Sequence, residues 1–375
     1  MKQCIGILLG ILVFFGVHPV VEVFAAEEVS AQAAILMEAG TFEVLYEKNA
    51  YEKRPMASTT KIMTTLLTLE SGDLDTPFIV DSDAIHVEGS SMGLQEGDIV
   101  TKRALCQGML LPSGNDAANA AAVAVAGGIP EFAALMNARA ARIGMTRTCF
   151  VTPSGLEGEG HGASAFDMAL LTREALQNEE FRAICGQKSA RLCFGNPPYE
   201  RTLVNSNKLL GMYEGVIGVK TGFTDEAGRC LVSACERDGV TLICVTLNAP
   251  DDWNDHMRLY DLGFSQLTAQ AFPLPEELTI PVTGGAESTV PLCAEEPVTA
   301  GCKDGGFPEI ETKIIRAPFA YAPVQEGDPL GTLEYWRDGR LLAQVPLLAG
   351  ESVAALESEL DFWGRLKAWF GEILP

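Results

Sequence analysis

The stretch RPMASTTKIMTTLLTLES, Arg54–Ser71, decides how this chain is read. It opens as a helix start and then runs apolar at Ile62, Met63, Leu66, Leu67 and Leu69. That spacing predicts a helix from Ser58 onward, with one face turned to a core. A single charge interrupts the pattern. Lys61 stands one turn after Ser58, so both side chains share a helical face. A serine hydroxyl is a poor nucleophile until a base takes its proton. Lysine serves as that base when burial and nearby positive charge lower its pKa, because desolvation disfavours the ammonium. The positive end of a helix beside Ser58 would also favour a developing oxyanion. Taken alone, Ser-x-x-Lys equally describes an ordinary exposed helix start.

Two further motifs narrow the reading. SGN at Ser113–Asn115 falls in a break between two helices. Thr101 can cap the first, which ends near Leu111 before Pro112, Ser113 and Gly114. An Ala-rich helix resumes after Asp116 and stops at Gly127 and Gly128, and another covers roughly 131–142. KTG at Lys220–Gly222 lies on a predicted strand, residues 215–224, and is followed by Phe223. On a strand Lys220 and Gly222 share one face and Thr221 takes the other, unless the strand bulges there. Each pattern occurs once in this chain. Their order, on helix, loop and strand, matches the S-x-x-K, S-x-N, K-T-G set of serine acyl transferases.

Composition sets outer limits. At 375 residues the chain can bury a substantial core and form two domains. Its 47% hydrophobic content argues against disorder. A formal charge of −23 argues against nucleic acid as a partner, since phosphate binding needs a basic footprint. Lys2, the apolar run CIGILLGILVFFGV and the small residues of VFA at Val23–Ala25 read as a secretory signal over residues 1–25. An uncleaved anchor is the alternative; either way the remainder lies outside the cytoplasm. Of ten cysteines, nine follow that signal, without a tight framework. Cys106, Cys149, Cys230, Cys235 and Cys244 read as small core residues. Cys185 with Cys193, and Cys293 with Cys302, are open as pairs. With few histidines and no CxxC, no zinc site is expected.

The hairpin-like AAILMEAGTFEVLYEKNA (33–50), the helices, the strands at 215–224, 229–236 and 240–249 and a last helix over 251–267 describe an α/β or α+β domain, residues 26–270. The second and third of those strands meet at an RDG turn. Residues 271–355 are β-rich, with a second RDG turn, and read as a small β-sandwich. In the tail, residues 356–375, Phe362, Trp363, Leu366, Trp369, Phe370, Ile373 and Leu374 share one half of the helical wheel. Too short to span a bilayer, that segment suits a membrane surface, with docking on the β domain as the alternative.

PMASTTKIMTTLLTLE (55–70), GMLLPSGNDAANA (108–120), GVIGVKTGFTDEAGRCLVSA (215–234) and YAPVQEGDPLGTLEY (321–335) together resemble the D-alanyl-D-alanine carboxypeptidases. These are low-molecular-mass penicillin-binding proteins of bacterial cell-wall metabolism. The resemblance covers nearly the whole chain after the leader, including the β domain and the tail. It implies a cofactor-free hydrolase at the extracytoplasmic face of the membrane, acting on peptidoglycan stem peptides and acylated by β-lactams. Ser58 would attack the carbonyl between two D-alanines and Lys61 would take its proton. Ser113 would relay a proton to the leaving amine, with Lys220 as electrostatic support. Asn115 would orient the substrate amide, Thr221 would bind the terminal carboxylate, and Ser58 and Phe223 N–H groups would form the oxyanion hole beside Gly222.

The sequence departs from the family pattern at Phe42, at Thr152 and at Ala163–Ser164, none of them in the three motifs. His161 and Asp167 read as structural. Three alternatives stand beside this reading. A class A β-lactamase shares the triplet, but no E-x-x-L-N segment lies between Asn115 and Lys220 and the β domain is foreign to that class. A DD-endopeptidase would use the same chemistry on cross-links. An inactive wall-binding protein would not need Ser58, Lys61, Ser113, Asn115 and Lys220 intact.

Overall fold

A computed structural model describes residues 29–275, 278–294, 298–303 and 309–356. The expected leader lies outside the described residues, as does the tail from residue 357 onward.

Five antiparallel strands form the central sheet, in the order Val44–Lys48, Ala33–Glu38, Val240–Leu247, Gly228–Arg237, Val216–Thr224. The strand carrying KTG is therefore an edge. Successive side chains point to opposite faces of a strand. Ala33, Ile35 and Met37 enter one core, while Ala34 and Leu36 enter another. This first strand is buried along its whole length, Ala33 to Glu38, where the sequence suggests alternation with polar positions. The cause is a helix layer on each face. The larger core gathers α1 (Lys61–Glu70), α2 (Lys102–Leu110), α3 (Asn115–Ala126) and the Ala165–Leu176 helix. The smaller holds Leu259 and Tyr260 of the Asp252–Gln266 helix.

Local signals end the elements where chain chemistry requires. Thr101 caps α2 through its side chain, which accepts from Ala104 N. Gly127, at φ 80°, closes α3 in the left-handed region that glycine adopts without strain. In both RDG turns Asp and Gly take positive φ, at Asp238–Gly239 and Asp338–Gly339, as a two-residue hairpin requires.

The C-terminal part is all-β. Among the described residues, one sheet of six strands runs in the order Glu311–Arg316, Pro329–Arg337, Arg340–Ala349, Thr289–Ala294, Thr279–Thr283, Ala320–Tyr321, and Thr268–Ala271 pairs with Thr299–Cys302 in a separate ribbon. Ile280, Val290, Leu333, Tyr335 and Leu347 form its own core. Neither cysteine pair open in the sequence is formed, and all nine cysteines of the described residues are free. Cys185 is buried with its thiol toward Ile217 O at 3.4 Å, whereas Cys193 is exposed. Cys293 points outward from its strand while Cys302 is buried. Cys149, read as core, is only half-buried.

Candidate active site

Ser58 does not open an α-helix. It lies in a 3-10 turn, Ala57–Thr60, and α1 begins at Lys61. The turn is drawn tight by Thr59, whose N–H and Oγ1 both donate to Met56 O, at 3.2 and 2.6 Å. Ala57 takes φ 47° at its start. Two glycines let other segments press against it. A Cβ at Gly155 would stand 2.0 Å from Ala57 O, and one at Gly222 3.1 Å from Ser58 N. Ser58 is thus clamped from two sides and left half-buried.

Lys61 is fully buried, and its Nζ has three oxygen neighbours. Its Nζ lies 2.8 Å from Ser58 Oγ and donates to Asn115 Oδ1 at 2.6 Å and Ser154 O at 2.7 Å. Burial, and next the charge of Lys220, hold this ammonium well below the usual lysine range, against a smaller upward pull from Asp116. The one-turn spacing read from the sequence therefore does bring the two groups into contact.

Asn115, the first residue of α3, is almost fully buried. Its Nδ2 donates to Glu88 O at 2.7 Å, which fixes the orientation of the carboxamide and leaves Oδ1 for Lys61. The sequence reading gave this carboxamide to the substrate; in the structure its Oδ1 faces Lys61. Asp116 next to it organises the approach. Its carboxylate accepts from Ser91 Oγ, Met92 N, Gly93 N and Leu94 N within 3.0 Å. Ser113 takes φ 69° in the break before α3. Among the described residues nothing hydrogen-bonds its hydroxyl, so it shares the turn with Asn115 but touches neither Ser58 nor Lys61 by such a bond.

On the edge strand Lys220 is fully buried and its Nζ donates to Thr221 O at 2.8 Å. Burial lowers its pKa to about 7. Thr221 Oγ1 is 2.7 Å from Ser206 Oγ, and Ser206 N donates to Leu111 O at 3.0 Å. Ser206 therefore ties the KTG strand to the end of α2. Phe223 is 64% exposed at the rim.

Sequence reasoning missed Ser154 O, Glu88 O, Asp116 and Ser206. The first two are backbone carbonyls, which carry no sequence signal. TPSGL at Thr152–Leu156 is a turn signal, and its Gly155 marks the close approach. His161 and Asp167 are structural, as their surroundings show. His161 Nδ1 accepts from Val151 N and Nε2 meets Thr60 Oγ1, each at 3.0 Å, so the ring braces the Ser58 turn. Burial holds it neutral, near 4. Asp167 accepts from Arg147 N and Thr148 Oγ1, at 2.7 and 2.8 Å.

A family model for D-alanyl-D-alanine carboxypeptidases matches residues 20–251, and one for the penicillin-binding protein 5 C-terminal domain matches residues 275–355. D-alanyl-D-alanine carboxypeptidase DacF of Bacillus subtilis is 35% identical over 90% of this chain and 91% of its own. DacC of Escherichia coli is 32% identical over 93% of each. Penicillin-binding protein 5 from Haemophilus influenzae superposes with a TM-score of 0.63 at 26% identity, covering 87% of this chain and 98% of that one. The chain belongs to the D-alanyl-D-alanine carboxypeptidase family of low-molecular-mass penicillin-binding proteins.

Proposed function

We propose that the protein is a serine D-alanyl-D-alanine carboxypeptidase that removes the terminal D-alanine from peptidoglycan stem pentapeptides. The observation that carries the mechanism is the set of partners around Lys61 Nζ. A neutral amine has two N–H bonds and one lone pair. Asn115 Oδ1 and Ser154 O can only accept, so they take the two N–H bonds. The lone pair is then directed at Ser58 Oγ, 2.8 Å away.

Ser58 Oγ attacks the carbonyl carbon of the penultimate D-alanine as its proton passes to Lys61. The oxygen of that carbonyl becomes an oxyanion, held by the N–H groups of Ser58 and Phe223. Collapse breaks the C–N bond. The leaving D-alanine amine takes a proton relayed through Ser113, whose hydroxyl is unengaged. Thr221, with its neighbour Ser206, binds the terminal carboxylate, and buried Lys220 supplies positive potential beneath it. Water then attacks the acyl-enzyme and frees Ser58. No step calls for a metal or an organic cofactor.

Incubation of the purified protein with a D-Ala-D-Ala pentapeptide should release one D-alanine per peptide. A cross-linked dimer, cut in preference to the pentapeptide, would assign the enzyme to endopeptidase chemistry instead.

Export and membrane contact rest on the sequence: the leader-like residues 1–25, and the one-sided apolar face at the C-terminal end. Removing residues 356–375 should leave turnover of a soluble peptide unchanged and move the protein from the membrane fraction to the supernatant. Unchanged sedimentation after signal cleavage would refute the anchor.

A further inference from the structure

Where the two domains meet, arginines and aromatic rings alternate. The Arg147 guanidinium lies 5.8 Å from the Tyr51 ring, and the Tyr51 and Phe166 rings are 5.0 Å apart. Arg340 follows, 5.4 Å from Phe166 and 5.5 Å from Phe42. Tyr51, Arg147 and Phe166 come from the first domain; Arg340 comes from the hairpin at Arg337–Arg340 in the all-β domain. With Thr41 and Arg337 they line one cavity of about 570 Å³.

The charges around this cavity are unevenly answered. Arg337 pairs with Glu43 at 3.2 Å and with Asp338 at 3.7 Å. Asp167, also on the wall, is occupied by Arg147 N and Thr148 Oγ1. Arg147 NH1 donates to Tyr51 O at 2.9 Å and has no carboxylate partner. The Arg340 side chain has neither a hydrogen bond nor an ion pair among the described residues. Both are exposed. Thus, in a chain of formal charge −23, two guanidinium groups that form no ion pair among the described residues border the same cavity, which the Asp167 and Asp338 carboxylates also line. Like charges so placed repel, and an anion between them turns repulsion into attraction. Guanidinium forks fit carboxylate and phosphate oxygens. Aromatic walls with a few convergent polar groups are what a small-molecule site presents.

We propose that this cavity binds an anionic sugar: a pyranose carrying a carboxylate or a phosphate. The anion sits between Arg147 and Arg340, and the ring lies against Tyr51 and Phe166. Anchoring there would hold the enzyme on a wall polymer while Ser58 works on a stem peptide. The identification of the polymer as a wall component rests on the function proposed above; the cavity and its charges do not. Two wall sources share this chemistry. Glycan strands stripped of stem peptides expose lactyl carboxylates on their pyranoses, and sugar-phosphate polymers expose phosphodiesters on theirs.

Titration calorimetry on the purified chain tests the proposal with three probes: peptide-stripped glycan strands, N-acetylglucosamine-phosphate oligomers and uncharged chitotetraose. At least one anionic probe should bind about tenfold or more tightly than chitotetraose, and which one does identifies the source. Arg147→Gln and Arg340→Gln should each weaken that binding by about tenfold, the worth of one charge-assisted contact. Release of D-alanine from a short soluble peptide should remain unchanged in both variants. If neither anionic probe binds more tightly than chitotetraose, the proposal is overturned. It is overturned too if the variants bind as the wild type does, or if their only effect is a lower melting temperature, since the arginines would then merely fasten the domains. Sugar binding without peptidase activity in the wild type would overturn the proposed function and leave this site standing.

Discussion

Asn115 Oδ1 accepts a 2.6 Å hydrogen bond from Lys61 Nζ. The second motif thus grips the lysine of the first. Upstream of that contact runs a chain of bonds: Asp116 gathers the loop at Ser91–Leu94, and Glu88 O in the same segment fixes the Asn115 carboxamide. Replacing Asn115 with Ala should free Lys61 Nζ to swing from Ser58 Oγ. A misplacement of about 1 Å at a reacting group lowers rates by about 10²-fold. The penicillin acylation rate of Asn115→Ala should fall by that order, with the fold intact by circular dichroism. Asn115→Asp should act differently. It places an anion on Lys61, favours the ammonium, and moves the rising limb of the acylation pH profile upward. If Asn115→Ala acylates normally while substrate KM rises, Asn115 serves the substrate and not the base.

Lys220 lowers the pKa of Lys61 by its charge, second only to burial. Lys220→Met should therefore raise the Lys61 pKa and shift the rising limb of acylation to higher pH. Lys220 also bears on stability. Its folded pKa of about 7 lies below the ordinary 10.5, so between those values the folded state binds fewer protons than the unfolded chain. Lys220 thus makes stability rise with pH across that window and penalises the fold below it. Lys220→Met should flatten this slope and relieve the penalty at pH 6. Denaturant melts at pH 6 and pH 9 provide the check. An unshifted acylation profile would remove Lys220 from the electrostatics of the base.

Gly222 is required by space, not by backbone angle. A Cβ there would stand 3.1 Å from Ser58 N, Met56 O and Ala57 Cβ. Those atoms belong to the turn that carries Ser58. Gly222→Ala should push the strand and the turn apart and disturb the oxyanion N–H groups, lowering kcat about 10²-fold with a smaller change in melting temperature. Wild-type kcat in Gly222→Ala would show that the strand does not set the hole.

What the sequence disclosed and what it hid follow from one distinction. Ser58 and Lys61 were legible because their spacing is local, and a one-turn offset joins them however the turn closes. The helices also showed themselves, through caps at Thr101 and Gly127. Ser154 O and Glu88 O were illegible, because any residue supplies a carbonyl and only tertiary packing selects which one faces Lys61. The 3-10 form of the Ser58 turn was hidden too. It depends on Gly155 and Gly222 reaching it from distant parts of the chain, where local propensity predicts plain α-helix. Asp116 was visible as a helix-start acid but not as the anchor of a loop more than 20 residues upstream.

The most direct test of the whole site is acylation by penicillin. A β-lactam presents a strained amide beside a carboxylate, the two groups found at a D-Ala-D-Ala terminus. Thr221 and Ser206, joined at 2.7 Å, would receive the carboxylate, and the lactam carbonyl would enter the hole between Ser58 and Phe223. Ser58 Oγ attacks, Lys61 takes the proton, and the ring opens. The leaving amine cannot diffuse away, because it remains tethered to the acyl group, and it obstructs the path of water. The chain has no E-x-x-L-N glutamate between Asn115 and Lys220 to activate that water, so the adduct should outlast normal turnover by orders of magnitude. Intact mass should rise by one drug mass, and peptide mapping should place it on Ser58. Ser58→Ala should abolish the adduct and the peptidase activity together. Lys61→Arg should keep the charge and the fold yet slow acylation by orders of magnitude, because guanidinium stays protonated. Rapid hydrolysis of penicillin with no adduct would establish a β-lactamase, and an adduct on any other residue would displace Ser58 as the nucleophile.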